Sequence, residues 1–184
     1  MDLRIIKTHV AIRTAFIDLL TEQDYDDITI QAIIDKALVN RATFYKYYHG
    51  KSDLAEQMID DFKQEINQVF LDRLNAEPKF LQVIMENHTQ KMFEHRKQML
   101  ALWKIRTRRH NLYLDMFNMG KQNFIELAKK HPTMSHVSDA TLDYQATMMS
   151  TIFLASFKYY FEKDLPLPTG LVEDWQQMIE VTKI

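Results

Sequence analysis

The 184-residue chain has no cysteine, three glycines and four prolines. The missing cysteines exclude disulfides, cysteine-ligated zinc and thiol nucleophiles together. So few backbone punctuators favour long helices with short connections over a turn-rich β fold. No apolar run approaches the ~18–20 residues that a membrane span requires. No signal-peptide core follows the early charges Asp2, Arg4 and Lys7. These absences predict a soluble, cytoplasmic, all-α protein without a membrane partner. With 46% hydrophobic residues, the chain can build one substantial core and a small satellite domain.

The net charge of −2 argues weakly against a nucleic-acid partner, but the distribution of charge argues for one. Residues 24–35 hold Asp24, Asp26, Asp27 and Asp35 and no cation. Residues 36–51 hold Lys36, Arg41, Lys46 and Lys51 and no acid. A local basic patch on a near-neutral chain suits a small DNA-reading module inside a larger protein.

Apolar periodicity predicts a first helix over residues 3–23, with Ile6, Val10, Ile17 and Leu20 on its stripe and Phe16 and Leu19 widening it. Thr29 can cap a second helix and Asn40 a third, which runs to about Tyr47. The three residues 37–39 between them match the spacing of a helix-turn-helix. A fourth helix, about 52–75, carries Leu54, Met58, Phe62, Ile66, Val69 and Phe70 on one face and links two domains, 1–51 and 52–184. Further helices are expected over 79–97 (with Pro78 in the first turn), 98–105, from the basic run Arg106, Arg108, Arg109 and His110 to about Lys130, 136–163 and, after a Thr169 cap, 170–183.

The third helix presents Asn40, Arg41, Thr43, Tyr45, Lys46 and Tyr47, while Phe44 and Tyr48, four apart, can share a buried face. Arginine reads guanine bidentately in the major groove, and small methyls pack on thymine. Tyrosine and lysine suit phosphates. In residues 5–54 the chain resembles the DNA-binding domain of the tetracycline-repressor (TetR) family. The resemblance rests on Thr29 to Ala37, on Val39-Asn40-Arg41-Ala42-Thr43-Phe44-Tyr45 and on Lys51-Ser52-Asp53-Leu54. It implies that Thr29 and Gln31 touch phosphate or base, that Arg41, Ala42 and Thr43 face bases, and that Tyr45, Lys46, Tyr47 and Lys51 clamp the backbone. Three positions depart from the family pattern. Asp24 and Leu38 stand where glycine is frequent, and Tyr47 where histidine is frequent. Leu38 cannot easily take a positive φ, so its turn is expected to differ or to carry mild strain.

The resemblance further implies a C-terminal domain that dimerises and binds a small-molecule effector. The stretch 148–157 is apolar nearly all round, as in a helix buried on more than one side. Met149, Ile152, Ser156 and Tyr160 are the expected interface there, with Leu171, Trp175 and Met178 of the last helix. Met85, Met92, Phe93, Trp103, Tyr113, Phe117 and Met148 are the expected effector lining, since methionine and aromatics adapt to an apolar or planar ligand. His88 and His95 lie seven apart, not four as in a helical zinc site, so neither metal nor cofactor is expected. The function expected is that of a ligand-responsive regulator, a repressor, binding duplex DNA as a homodimer. The alternative is a DNA-binding regulator without a small-molecule effector. An enzyme finds no support, for want of a nucleophilic cysteine, a Gly-rich phosphate loop or an acid–base pair.

Overall fold

The computed structural model describes residues 3–75, 77–134, 136–168 and 171–181; the side chains at 73–75, 78, 80–82, 84–85, 171–173, 176 and 179 are outside that description. All its regular structure is helical: α1 (Leu3–Glu22), a 3-10 turn (Tyr25–Asp27), α2 (Ile30–Ala37), α3 (Arg41–Tyr47), α4 (Lys51–Asn75), α5 (Pro78–Glu94), α6 (Arg96–Leu102), α7 (Leu112–Lys130), a second 3-10 turn (Pro132–Met134), α8 (Asp139–Glu162) and α9 (Leu171–Val181). The Thr169 cap expected for the last helix lies outside the described residues.

α1 buries Ile12, Ala15, Phe16, Leu19 and Leu20, a 3–4 spaced stripe that faces α2 and α6. Val10, expected on that stripe, is exposed, on the side of α1 that also carries the exposed Thr14 one turn later. Thr29 accepts a hydrogen bond from the Ala32 amide at 3.0 Å, and Asn40 from the Thr43 amide at 2.7 Å, so both helices of the module start on side-chain caps. The chain turns between them at Leu38, which takes the left-handed conformation with φ 54°.

The 25 residues of α4 span about 37 Å at 1.5 Å per residue. Its first three turns bury Leu54, Ala55, Met58, Ile59 and Phe62 in the same cluster as α1, α3 and α6. The small N-terminal unit and the larger body therefore share one continuous core. Asp53 steadies the start of α4, its carboxylate accepting from the His49 amide at 2.7 Å. α7 and α8, joined by a short connection, make the most extensive helix contact in the chain. They approach closely where Gly120 faces Ser150, whose hydroxyl donates to the Phe117 carbonyl at 2.7 Å.

The helices expected over 79–97 and 98–105 divide instead at His95, which leaves helical geometry (φ −90°, ψ 7°) and closes α5 before α6 begins.

Candidate nucleic-acid interface

α3 is short, and its two faces have different fates. Phe44 and Tyr48 are fully buried, their rings in tilted contact with centroids 5.7 Å apart. Arg41, Ala42, Tyr45 and Lys46 are exposed, and Thr43 and Tyr47 are half-buried on the flank. The Arg41 guanidinium lies 5.5 Å from the centre of the Tyr45 ring, and the Lys46 ammonium 5.5 Å from that of Tyr47. Neither cation has a carboxylate partner among the described residues, whereas Lys36 pairs with Glu22 at 2.6 Å and Arg13 with Asp61 at 2.6 Å. The outer face of α3 thus presents uncompensated positive charge beside aromatic rings.

Three residues outside the motif hold α3 in place. The Tyr48 hydroxyl contacts His9 Nδ1 at 2.8 Å and accepts from Arg13 Nε at 3.2 Å. Through its pair with Asp61, Arg13 then ties α1 and α3 to α4. Burial, and next the nearby Arg13 charge, lower the His9 pKa from its ordinary 6.5. Burial likewise raises the Tyr48 pKa, against the opposing pull of Arg13. Sequence reasoning missed His9, Arg13 and Asp61, because their partners are 35 to 48 residues away along the chain. The only local signal was a histidine and an arginine four apart on α1.

Lys51 departs from expectation. Its ammonium donates to the carbonyls of Tyr25 at 2.6 Å and Asp26 at 3.2 Å and sits 4.3 Å from the Tyr25 ring centre. Desolvation lowers its pKa. Lys51 here straps the connection between α1 and α2, which folds back over the start of α4, and does not project as Lys46 does. Thr29 and Asn40 are exposed, but each commits its side-chain oxygen to a cap; Gln31 donates to Asp35 along the outer face of α2 at 2.8 Å.

The residues expected to line an effector site separate. Trp103 is buried, its indole N–H on Met116 sulfur at 3.1 Å and its ring edge-on to Tyr113 at 5.1 Å. Phe93 packs on Phe161, and Met92 and Phe117 pack against the core. Met85 lies outside the described side chains. Met148 does not join them, being exposed on the outer side of α8. A cavity of about 290 Å³ between α4 and α5 is lined instead by Phe62, Ile66, Val69 and Met92, with His88 and His95 at its edge.

The outer side of α8 carries Tyr144, Met148, Ile152, Ala155 and Tyr159, at helical spacing and all exposed. Of the expected interface residues, Ile152 and Met178 are exposed, Met149 and Ser156 are half-buried, and Trp175 packs on Phe153 at 4.9 Å. Leu171 lies outside the described side chains. Tyr160 turns inward against the core, so the exposed stripe keeps Ile152 but takes Met148, Ala155 and Tyr159 in place of Met149, Ser156 and Tyr160. The stretch 148–157 of α8 is apolar almost all round and offers little polar contrast to mark its faces.

A capped helix-turn-helix whose second helix turns a cationic face outward is thus mounted on an all-helical body. Residues 12–58 match the model of the tetR family of bacterial regulatory proteins. The chain is 43% identical over 67 residues, 36% of its own length and 18% of the relative's, to the uncharacterized HTH-type transcriptional regulator YxbF of Bacillus subtilis (strain 168). Over 45 residues it is 42% identical to a second such regulator of that organism, YdeS, a match that spans 24% of this chain and 23% of the relative. The chain thus covers less than a quarter of either relative's length. Its whole fold is similar to a TetR transcriptional regulator from Streptococcus agalactiae 2603V, with TM-score 0.64, 21% identity and coverage of 96% of this chain and 95% of that one. It is also similar to regulatory protein TetR from Rhodobacter sphaeroides, with TM-score 0.59, 17% identity and coverage of 92% and 97%. The family match thus lies in the helix-turn-helix region, and the likeness beyond it is one of fold.

Proposed function

We propose that this protein binds a palindromic operator as a homodimer and represses transcription until a small-molecule effector releases it. The observation that carries the reading is the split of α3, with Phe44 and Tyr48 locked in the core and Arg41, Tyr45 and Lys46 projecting without acidic partners. In this reading Arg41, Ala42 and Thr43 face bases and Tyr45, Lys46 and Tyr47 face phosphate, while residues 1–51 form the reading unit and 52–184 the body. The apolar stripe on α8 supports dimerisation, since a self-complementary face about a two-fold axis would cover it. Two recognition helices about 34–36 Å apart, or further, then read two half-sites. The cavity under α4 supports effector control, because a ligand there would press on the helix whose first turns anchor the reading unit. Coupling of this kind is worth about 1–3 kcal/mol.

Selection of bound duplexes from a random pool tests the reading. A palindromic consensus is the expected result; enrichment of single half-sites, or of nothing, overturns it. One observation favours a second reading, regulation without a small-molecule effector. Trp103, Met116 and Tyr113 fill with their own side chains the region expected to receive one. Thermal-shift screening of apolar compounds separates the two readings, because a ligand present at 100 times its Kd adds about 2.7 kcal/mol to stability.

A further inference from the structure

The cationic surface does not end with α3. A groove of about 500 Å³ runs between α3 and the start of α1, and Arg4, Thr8, Asn40, Thr43, Lys46 and Tyr47 are among its walls. It adjoins a shallower furrow where Lys7 and Ala11 face Leu38 and Val39. Arg4, Lys7, Thr8 and Ala11 are spaced i, i+3, i+4 and i+7, so the two cations share one face of α1. Among the described residues, no aspartate or glutamate lines either groove. The large groove at the other end of α1 differs, since Asp24, Glu94, Glu162 and Asp164 there offset its lysines and arginines. Lys7 is exposed and has no carboxylate partner among the described residues. Two turns further along, Arg13 is drawn off to Asp61 and Tyr48, so the strip of positive charge ends there.

We propose that the first two turns of α1 form a second phosphate-binding strip, with Lys7 and Arg4 holding a DNA backbone that crosses the groove beside Lys46. The proposal rests on the DNA-binding reading of α3. A recognition helix lying in the major groove has a sugar-phosphate backbone along each flank. Here one flank is walled by α1, at a distance set by the His9 contacts to Tyr47 and Tyr48. A strand entering this groove meets Lys46 on one wall and Arg4 on the other. Such contacts carry no base information, so they add affinity without altering preference.

The test is the salt dependence of binding to a mixed-sequence duplex of about 30 base pairs, about three helical turns. The variants are Lys7→Gln, Arg4→Gln/Lys7→Gln, Lys46→Gln and, as a remote control, Lys129→Gln. Each lost phosphate contact lowers the log–log slope by about 0.9. The expected result is a fall of about 0.9 for Lys7→Gln and about 1.8 for the double variant, with the control unchanged and the selected consensus unaltered. A slope for Lys7→Gln equal to that of the unaltered chain, while Lys46→Gln lowers its own, overturns the strip and leaves the α3 reading standing. If the unaltered chain binds no duplex, both fail together.

Discussion

Leu38 stands at the apex of the helix-turn-helix with φ 54° and ψ 39° and a side chain 93% exposed. A non-glycine residue in that conformation costs about 1 kcal/mol or more, and nothing within the chain compensates it through burial. Leu38→Gly therefore removes strain without losing packing. Chemical denaturation should show a gain of a few tenths to about 1 kcal/mol, reduced by the extra freedom glycine gives the unfolded chain. A loss of stability would show that the freedom glycine gives the unfolded chain outweighs the strain relieved.

His9 acts at the same scale, through charge. Its folded pKa lies below the ordinary 6.5, so the folded protein binds this proton more weakly than the unfolded chain does. Above 6.5 both states are neutral and the residue is silent. As pH falls below 6.5 the unfolded chain takes up the proton first, and stability declines until the folded value is passed. His9→Gln should flatten that decline as pH falls through and below 6.5, measured as unfolding free energy against pH. An unchanged slope would place the acid sensitivity in other groups. Asp53 acts lower on the scale: the hydrogen bond from the His49 amide lowers its pKa, so its contribution holds above the ordinary 3.8 and is lost as pH falls below it.

At the level of elements, the α7–α8 contact depends on the missing side chain of Gly120. A Cβ there would stand 2.8 Å from the Ser150 hydroxyl, which is buried and tied to the Phe117 carbonyl. Alanine in mid-helix gains roughly 0.5–1 kcal/mol over glycine, yet here the serine must rotate and surrender its hydrogen bond. Gly120→Ala should destabilise by about 1 kcal/mol, the typical worth of such a bond plus the displacement. In a Ser150→Ala background the same change should stabilise instead. A double-mutant cycle reads this sign reversal, and its absence would mean that the helices separate freely. The register of α8 belongs to the same contact. Leu142, Ala146, Ser150 and Leu154, four apart, face inward, and this turns Met148 outward and Tyr160 in.

For the whole molecule, the exposed stripe of Tyr144, Met148, Ile152, Ala155 and Tyr159 is the feature to test. If a second copy covers it, Ile152→Glu places two like charges near the two-fold axis and removes apolar contact. Sedimentation should then show the mass halved at micromolar concentration. Operator affinity should fall by at least tenfold, about 1.4 kcal/mol, because one recognition helix would read one half-site. An unchanged mass would move the interface elsewhere.

Residues 29–54 were legible in the sequence because their cues are local. Caps lie three residues from the amides they bind, apolar positions recur every three or four residues, and the turn is short enough to force its neighbours together. Helix content followed from the scarcity of glycine and proline for the same reason. Tertiary structure alone decided the rest, since it sets which side chains meet across tens of residues. It withdrew Lys51 from the projecting surface and set Tyr48 on His9 and Arg13. It brought the first turns of α1 beside α3 and chose the outward face of the almost uniformly apolar stretch 148–157 of α8. Periodicity can show that a helix has a buried side, but when hydrophobic residues surround its axis only the neighbours that pack on it determine which side that is.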